Sequence, residues 1–165
     1  MAPALRLSWL PKITNGFFFR ADTFADVAKY INEVGDPTAH GGGRLLERSR
    51  GESFLAVFEN RFKPKKRSIY LMDEPENALS PIRQLAFMRL LWEWELSGNA
   101  QMIIATHSPI LMSYPGATIL SFDGNALTPT AYEDTEHYRV TKSFLGNPQA
   151  ALDELLAPDE EGDET

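Results

Sequence analysis

Two carboxylates, Asp73-Glu74, close the apolar run at residues 68–72, and one imidazole, His107, sits between Thr106 and Ser108 after a second run at 101–105. With His40-Gly41-Gly42-Gly43 these residues hold most parts of a lipase-type triad and its oxyanion loop. The nucleophile is missing, because no G-x-S-x-G occurs and Ser49-Arg50-Gly51-Glu52-Ser53 lacks that spacing. A metal-dependent nuclease built on Asp73 and Glu74 needs a third convergent carboxylate, and none has the spacing. A phosphate loop, G-x-x-x-x-G-K-[ST], is absent too: five residues on from Gly43 stands Arg48, and no Gly-Lys pair occurs. His40 and His137 have no polar, strand-end setting and read as surface or loop residues.

The elements that must position these groups follow from periodicity. Residues 21–34 carry Phe24, Val27, Ala28 and Ile31 at i, i+3, i+4 and i+7, an amphipathic helix. Glycines and a proline make residues 35–43 a loop, and Ser49 then caps a helix with Leu55, Phe58 and Phe62 on one side. Residues 68–73 and 101–106 are short apolar runs that suit strands buried on both faces. Between them Ser80 and Pro81 open a helix striped with Phe87, Leu90, Leu91 and Trp94, which Gly98 and Asn99 stop. Residues 117–122 and 126–132, around Asp123-Gly124-Asn125, predict a hairpin. Residues 131–156 read as mostly helical, broken near Gly146, Asn147 and Pro148. Strand, helix, strand at this spacing is a right-handed βαβ unit of an α/β sheet, and chemistry gathers beyond the C-terminal strand ends. Asp73-Glu74 and Thr106-His107-Ser108 are therefore expected side by side.

A chain of 165 residues, 43% apolar, has enough material for one core, and residues 1–156 are expected to form a single domain. With no Cys, disulfides, thiolate metal sites and cysteine nucleophiles are excluded, and a cytoplasmic location is expected. No apolar run approaches the roughly 20 residues that cross a bilayer, so no membrane insertion is expected. The net charge of -7 is concentrated in residues 157–165, whose five carboxylates predict a solvated, disordered tail. The basic run at residues 63–67 reads as a loop gating the strand behind it; contact with a phosphate or nucleic acid is the sharper alternative.

Taken in order, Ser49-Arg50-Gly51-Glu52, then Ile69 to Pro75, then Ala78-Leu79-Ser80, then Ile103 to Pro109 resembles the C-terminal half of an ABC-type ATPase head. The likeness spans about residues 48–115, and LMDEPENALSP followed by IIATHSP is its most specific part. The whole chain is similar to bacterial stand-alone ABC-like AAA-family ATP-binding proteins of the SMC-like branch. That implies a partial P-loop NTPase, three-layer α/β fold with parallel core strands, a C-terminal hairpin and helices.

The resemblance also implies roles. Asp73, at the Walker B strand tip, supports the water shell of Mg2+, and Glu74 orients or deprotonates the attacking water. His107 is the switch histidine, a neutral imidazole hydrogen-bonding the γ phosphate and that water. Ser49, Arg50, Gly51 and Glu52 are the signature segment, whose hydroxyl, N–H groups and helix N-terminus meet ATP held by another head. Arg48 and Arg50 stand where Leu and Gly are usual, and Arg50 adds a charge-assisted contact. Ala78 to Ser80 form a loop communicating across the same interface.

A head of this kind begins with a strand, a Walker A loop and a glutamine-bearing loop, and residues 1–19 do not supply them. The Walker A half is therefore truncated, carried by another polypeptide, or lost. The expected function is ATP binding and hydrolysis as a homo-dimer or with a Walker A-containing polypeptide; the alternative is a nucleotide-inactive module that binds an intact ATPase head. The chain alone is expected to bind Mg-ATP weakly, since the charge-assisted bonds of a β-phosphate cradle, about 1.5–3 kcal/mol each, are missing.

Overall fold

The computed structural model describes residues 13–34, 49–61, 64–122 and 126–157. The loop at 35–43 with His40, the Phe62 position, Lys63, the hairpin turn 123–125 and the tail from 158 lie outside them. Contacts divide the chain into two compact units, residues 1–111 and 112–165.

The first unit holds β1 (Gly16–Arg20), α1 (Phe24–Val34), α2 (Arg50–Arg61), β2 (Ser68–Asp73), a 3-10 turn (Pro75–Ala78), α3 (Pro81–Leu96) and β3 (Ala100–Ala105). The sheet order is β1-β2-β3, and both pairings are parallel. The expected βαβ unit is therefore present as β2-α3-β3. Strand β1 was not expected, because three consecutive phenylalanines carry no period. It becomes a strand by pairing, anchored at its start by Ile69 N–H donating to Asn15 O (3.1 Å) and Asn15 Nδ2 donating to Ser68 Oγ (2.7 Å).

Aromatic packing fixes the three helices to one face of this sheet. Phe19 of β1 packs edge-on to Phe54 of α2 (4.9 Å between centroids) and lies 5.7 Å from Phe24 of α1. Phe54 stacks on Phe58 at 4.4 Å, Phe87 of α3 meets Phe54 at 5.2 Å, and Tyr70 of β2 meets Trp94 of α3 at 4.7 Å. Such pairs contribute about 0.5–1.5 kcal/mol each beyond area burial. The expected stripe Phe87, Leu90, Leu91 and Trp94 is buried as read, with Gln84 beside it. On α2 the buried apolar side chains are Phe54, Ala56, Val57 and Phe58, while Leu55 is only half-buried. Ser80 occupies the cap position with Pro81 following, but its side chain makes no capping bond; its carbonyl accepts the N–H groups of Arg83 and Gln84 instead.

One expectation is corrected. The strands are not buried on both faces: along β2 and β3 burial alternates, leaving Leu71 38% and Ile103 55% exposed. In register with them stands Phe18, 60% exposed. Of the three layers expected, the sheet and one helical layer are present among the described residues of this unit.

In the second unit β4 (Leu120–Ser121) pairs antiparallel with β5 (Thr128–Pro129), a shorter hairpin than the sequence suggests. A 3-10 turn (Tyr132–Asp134) leads to α5 (Glu136–Gly146) and α6 (Pro148–Leu155), broken at Asn147 as expected. Thr135 caps α5 by accepting Tyr138 N–H (3.3 Å), and Asn147 caps α6 by accepting Ala150 N–H (3.2 Å). In chain order α4 (Pro109–Met112) follows β3. Among the described residues no helix is long and apolar enough to cross a membrane.

Candidate functional site

Parallel register brings Arg20, Asp73 and Ala105 level at the C-terminal ends of β1, β2 and β3. Arg20 Nη2 pairs with Asp22 Oδ2 at 2.9 Å, and its Nε lies 3.6 Å from Asp73 Oδ2. Beyond this edge opens a cleft of about 340 Å³ lined by Arg20, Ala21, Asp22, Asp73, Glu74 and Asn77.

Glu74 leaves the strand abruptly. Its N–H still donates to Ala105 O (2.9 Å), but its backbone is left-handed, φ 48° and ψ 52°. Among the described residues it is the one non-glycine with positive φ. Pro75 follows, and proline disfavours the right-handed helical region for the residue before it. Strain of this kind costs about 1–3 kcal/mol and concentrates at functional sites. The conformation delivers the Glu74 carboxylate to two partners: Asn77 Nδ2 donates to Oε2 (2.6 Å), and His107 Nε2 lies 3.5 Å from Oε1. Both side chains stay accessible, with 68% of His107 and 44% of Glu74 exposed.

The His107 loop is held from three directions. Its own N–H donates to Glu76 Oε1 (2.6 Å), and Thr106 Oγ1 accepts the Ser108 N–H (3.0 Å). The buried Ser108 hydroxyl donates to Gln84 Oε1 of α3 and accepts Leu111 N–H (3.3 Å). Gln84 in turn donates to Leu79 O (3.3 Å), tying the loop to the turn that follows Glu74.

A separate cluster forms at the start of α2. Ser49 N–H and Oγ–H both donate to Glu52 Oε2 (2.9 and 2.7 Å), and Glu52 N–H points back to Ser49 Oγ (3.4 Å). This is a capping box. Arg83 closes it from α3, donating to Ser49 Oγ (2.9 Å) and to Glu52 Oε1 (2.8 Å). Gly51 permits that crossing, since a Cβ there would meet Arg83 Cδ at 2.8 Å and Ala78 O at 3.0 Å. Arg50 opens α2, and its side chain lies outside the described ones.

The expected neighbours Asp73, Glu74 and His107 are thus together, while Ser49, Gly51 and Glu52 form their own cluster beside Ala78. Sequence reading missed Arg20, Glu76, Asn77, Arg83 and Gln84. For Arg20 the available signal was a cation closing the apolar run of residues 17–19, and Asn77 reaches Glu74 within the turn; Glu76, Arg83 and Gln84 act through contacts distant in sequence.

Residues 58–113 match the family model described as AAA domain, putative AbiEii toxin, Type IV TA system. That segment supports a P-loop NTPase-like AAA domain. It covers about a third of the chain, from Phe58 in α2 to Ser113, includes Asp73, Glu74 and His107, and leaves Ser49 to Glu52 outside. The parallel β2-α3-β3 arrangement is consistent with a partial P-loop NTPase-like fold, and such domains in general bind ATP with Mg2+. No curated protein matches the chain.

The residues present fit one side of a magnesium–nucleotide site. Asp73 offers an accessible oxygen at a strand tip, which suits an ion held by one carboxylate plus waters and phosphates. Among the described residues no group of three or more His, Cys, Asp or Glu could cage a metal alone.

Proposed function

We propose that this chain is the signature, Walker B and switch-histidine part of an ABC-like ATPase, active on ATP once a Walker A segment is supplied from elsewhere. The observation that carries the reading is Glu74, a carboxylate held in a left-handed conformation beside Asp73 and 3.5 Å from His107 Nε2. Asp73 holds the water shell of Mg2+, which when bound offsets phosphate charge. Glu74 Oε1 orients the attacking water and takes its proton, and His107 Nε2 hydrogen-bonds the same water and the terminal phosphate. Ser49, Arg50, Gly51 and Glu52, at the N-terminus of α2, meet the phosphate of a nucleotide held by a second head, as a homo-dimer or with a Walker A-containing polypeptide. The open face of Phe18, Leu71 and Ile103 supports the reading, because an added segment would cover it.

The test is reconstitution. ATP turnover should appear when a polypeptide with the Walker A segment is mixed with this chain, and Glu74→Gln should remove it by about 100-fold or more. Turnover unaffected by Glu74→Gln would sink the assignment.

A second reading rests on the α2 cluster. The Ser49 hydroxyl is already engaged by Glu52 and Arg83, which favours a nucleotide-inactive module that binds an intact ATPase head. In that case Glu74→Gln leaves partner binding unchanged.

A further inference from the structure

Glu76 has no role in the chemistry above, yet its placement is unusual. It sits in the 3-10 turn two residues after Glu74, and its two carboxylate oxygens are treated differently. Oε1 accepts the His107 backbone N–H at 2.6 Å, across 31 residues of sequence. Oε2 is buried with no hydrogen-bond partner. A buried unpartnered carboxylate oxygen is unfavourable, so a turn this short would be better served by a smaller or apolar side chain unless the other oxygen is needed.

The bond lies where it controls geometry. His107 is the second residue beyond the end of β3, and its side chain is 68% exposed, so solvent-side packing does little to fix it. Ser108, by contrast, is anchored through its hydroxyl to Gln84 and Leu111. The peptide N–H of His107 ties the backbone of the histidine to the turn that follows Glu74. One short segment, residues 74–78, therefore carries both the Glu74 carboxylate and the acceptor for the His107 backbone N–H.

We propose that Glu76 is the positioning residue of this site: by accepting the His107 N–H it sets the imidazole against Glu74 Oε1. The proposal rests on the reading of Glu74 and His107 as the working pair, but its geometric content is separate from nucleotide chemistry. Glu76→Ala removes the acceptor and frees the His107 loop. Glu76→Gln retains a side-chain carbonyl for the same N–H and keeps the pair together.

The experiment is heteronuclear NMR on the full chain without nucleotide, following hydrogen exchange of the His107 amide and the contact between its imidazole and the Glu74 side-chain methylenes. In Glu76→Ala the amide should exchange about tenfold faster or more, and the imidazole–Glu74 contact should vanish. The β3 amides of Ile103 and Ile104 should keep their protection. Glu76→Gln should restore both signals. If Glu76→Ala unfolds the chain, Glu76→Asp, whose acceptor is one methylene short, gives the same readout. Unchanged His107 exchange and an intact contact in Glu76→Ala or Glu76→Asp would overturn the proposal, as would failure of Glu76→Gln to restore them. Because no turnover is measured, a failed reconstitution leaves this result standing, and the reverse holds too.

Discussion

On one face of the sheet Phe19, Tyr70 and Met72 are 3%, 4% and 3% exposed; on the other Phe18, Leu71 and Ile103 are 60%, 38% and 55% exposed. The residues are neighbours in sequence and alike in chemistry. What separates them is the pleat, which sends successive side chains to opposite sides, and α1, α2 and α3, which among the described residues of this unit pack on the first side. The comparison teaches that an apolar strand records what its face is meant to meet, and the described residues supply only half of that. A contiguous exposed apolar stripe usually marks an interaction surface.

The contrast is open to direct attack. The largest effect is expected on the covered face: Phe87 is 0% exposed and contacts Phe54 and Phe58, so Phe87→Ala should cost about 3–5 kcal/mol by denaturant unfolding. A loss under about 1 kcal/mol would mean the ring cluster is not the core.

An intermediate effect is expected where α2 meets α3. Gly51→Ala pushes a methyl toward Ala78 O and Arg83, and should cost about 1–3 kcal/mol while displacing Arg83 from Ser49 and Glu52. The companion variant Arg83→Ala relieves the side-chain part of that clash, so the double variant should recover some of the loss.

The smallest effect belongs to the open face. Ile103→Thr keeps strand propensity, should change stability by no more than about 0.5 kcal/mol, and should reduce self-association measured by light scattering. If Ile103→Thr costs as much as Phe87→Ala, the face is covered in solution and the comparison fails.

What could be read beforehand divides along physical lines. The α3 stripe was legible because Phe87, Leu90, Leu91 and Trp94 repeat at helical spacing, and a local period survives in one dimension. The pairing of Asp73-Glu74 with His107 was legible because a βαβ unit leaves little choice about which strand ends meet. Strand β1 was not, since Phe17 to Phe19 alternate in space but not in residue type. Glu76 and Arg83 were hidden for another reason: each acts over about thirty residues, on a backbone N–H and on a capping box, and those partners exist only after folding. The neighbourhood of Asp73, Glu74 and His107 was thus visible as residue types, and the bonds that hold it were not.

The backbone of Glu74 carries one more implication, for how this protein answers selection. A left-handed residue is eased by glycine or asparagine, so the substitutions that most readily relax this turn also delete the carboxylate facing His107. A lineage screened for robustness alone would drift toward a firmer and chemically silent molecule. In this chain glutamate stands at that position against the local preference of the backbone.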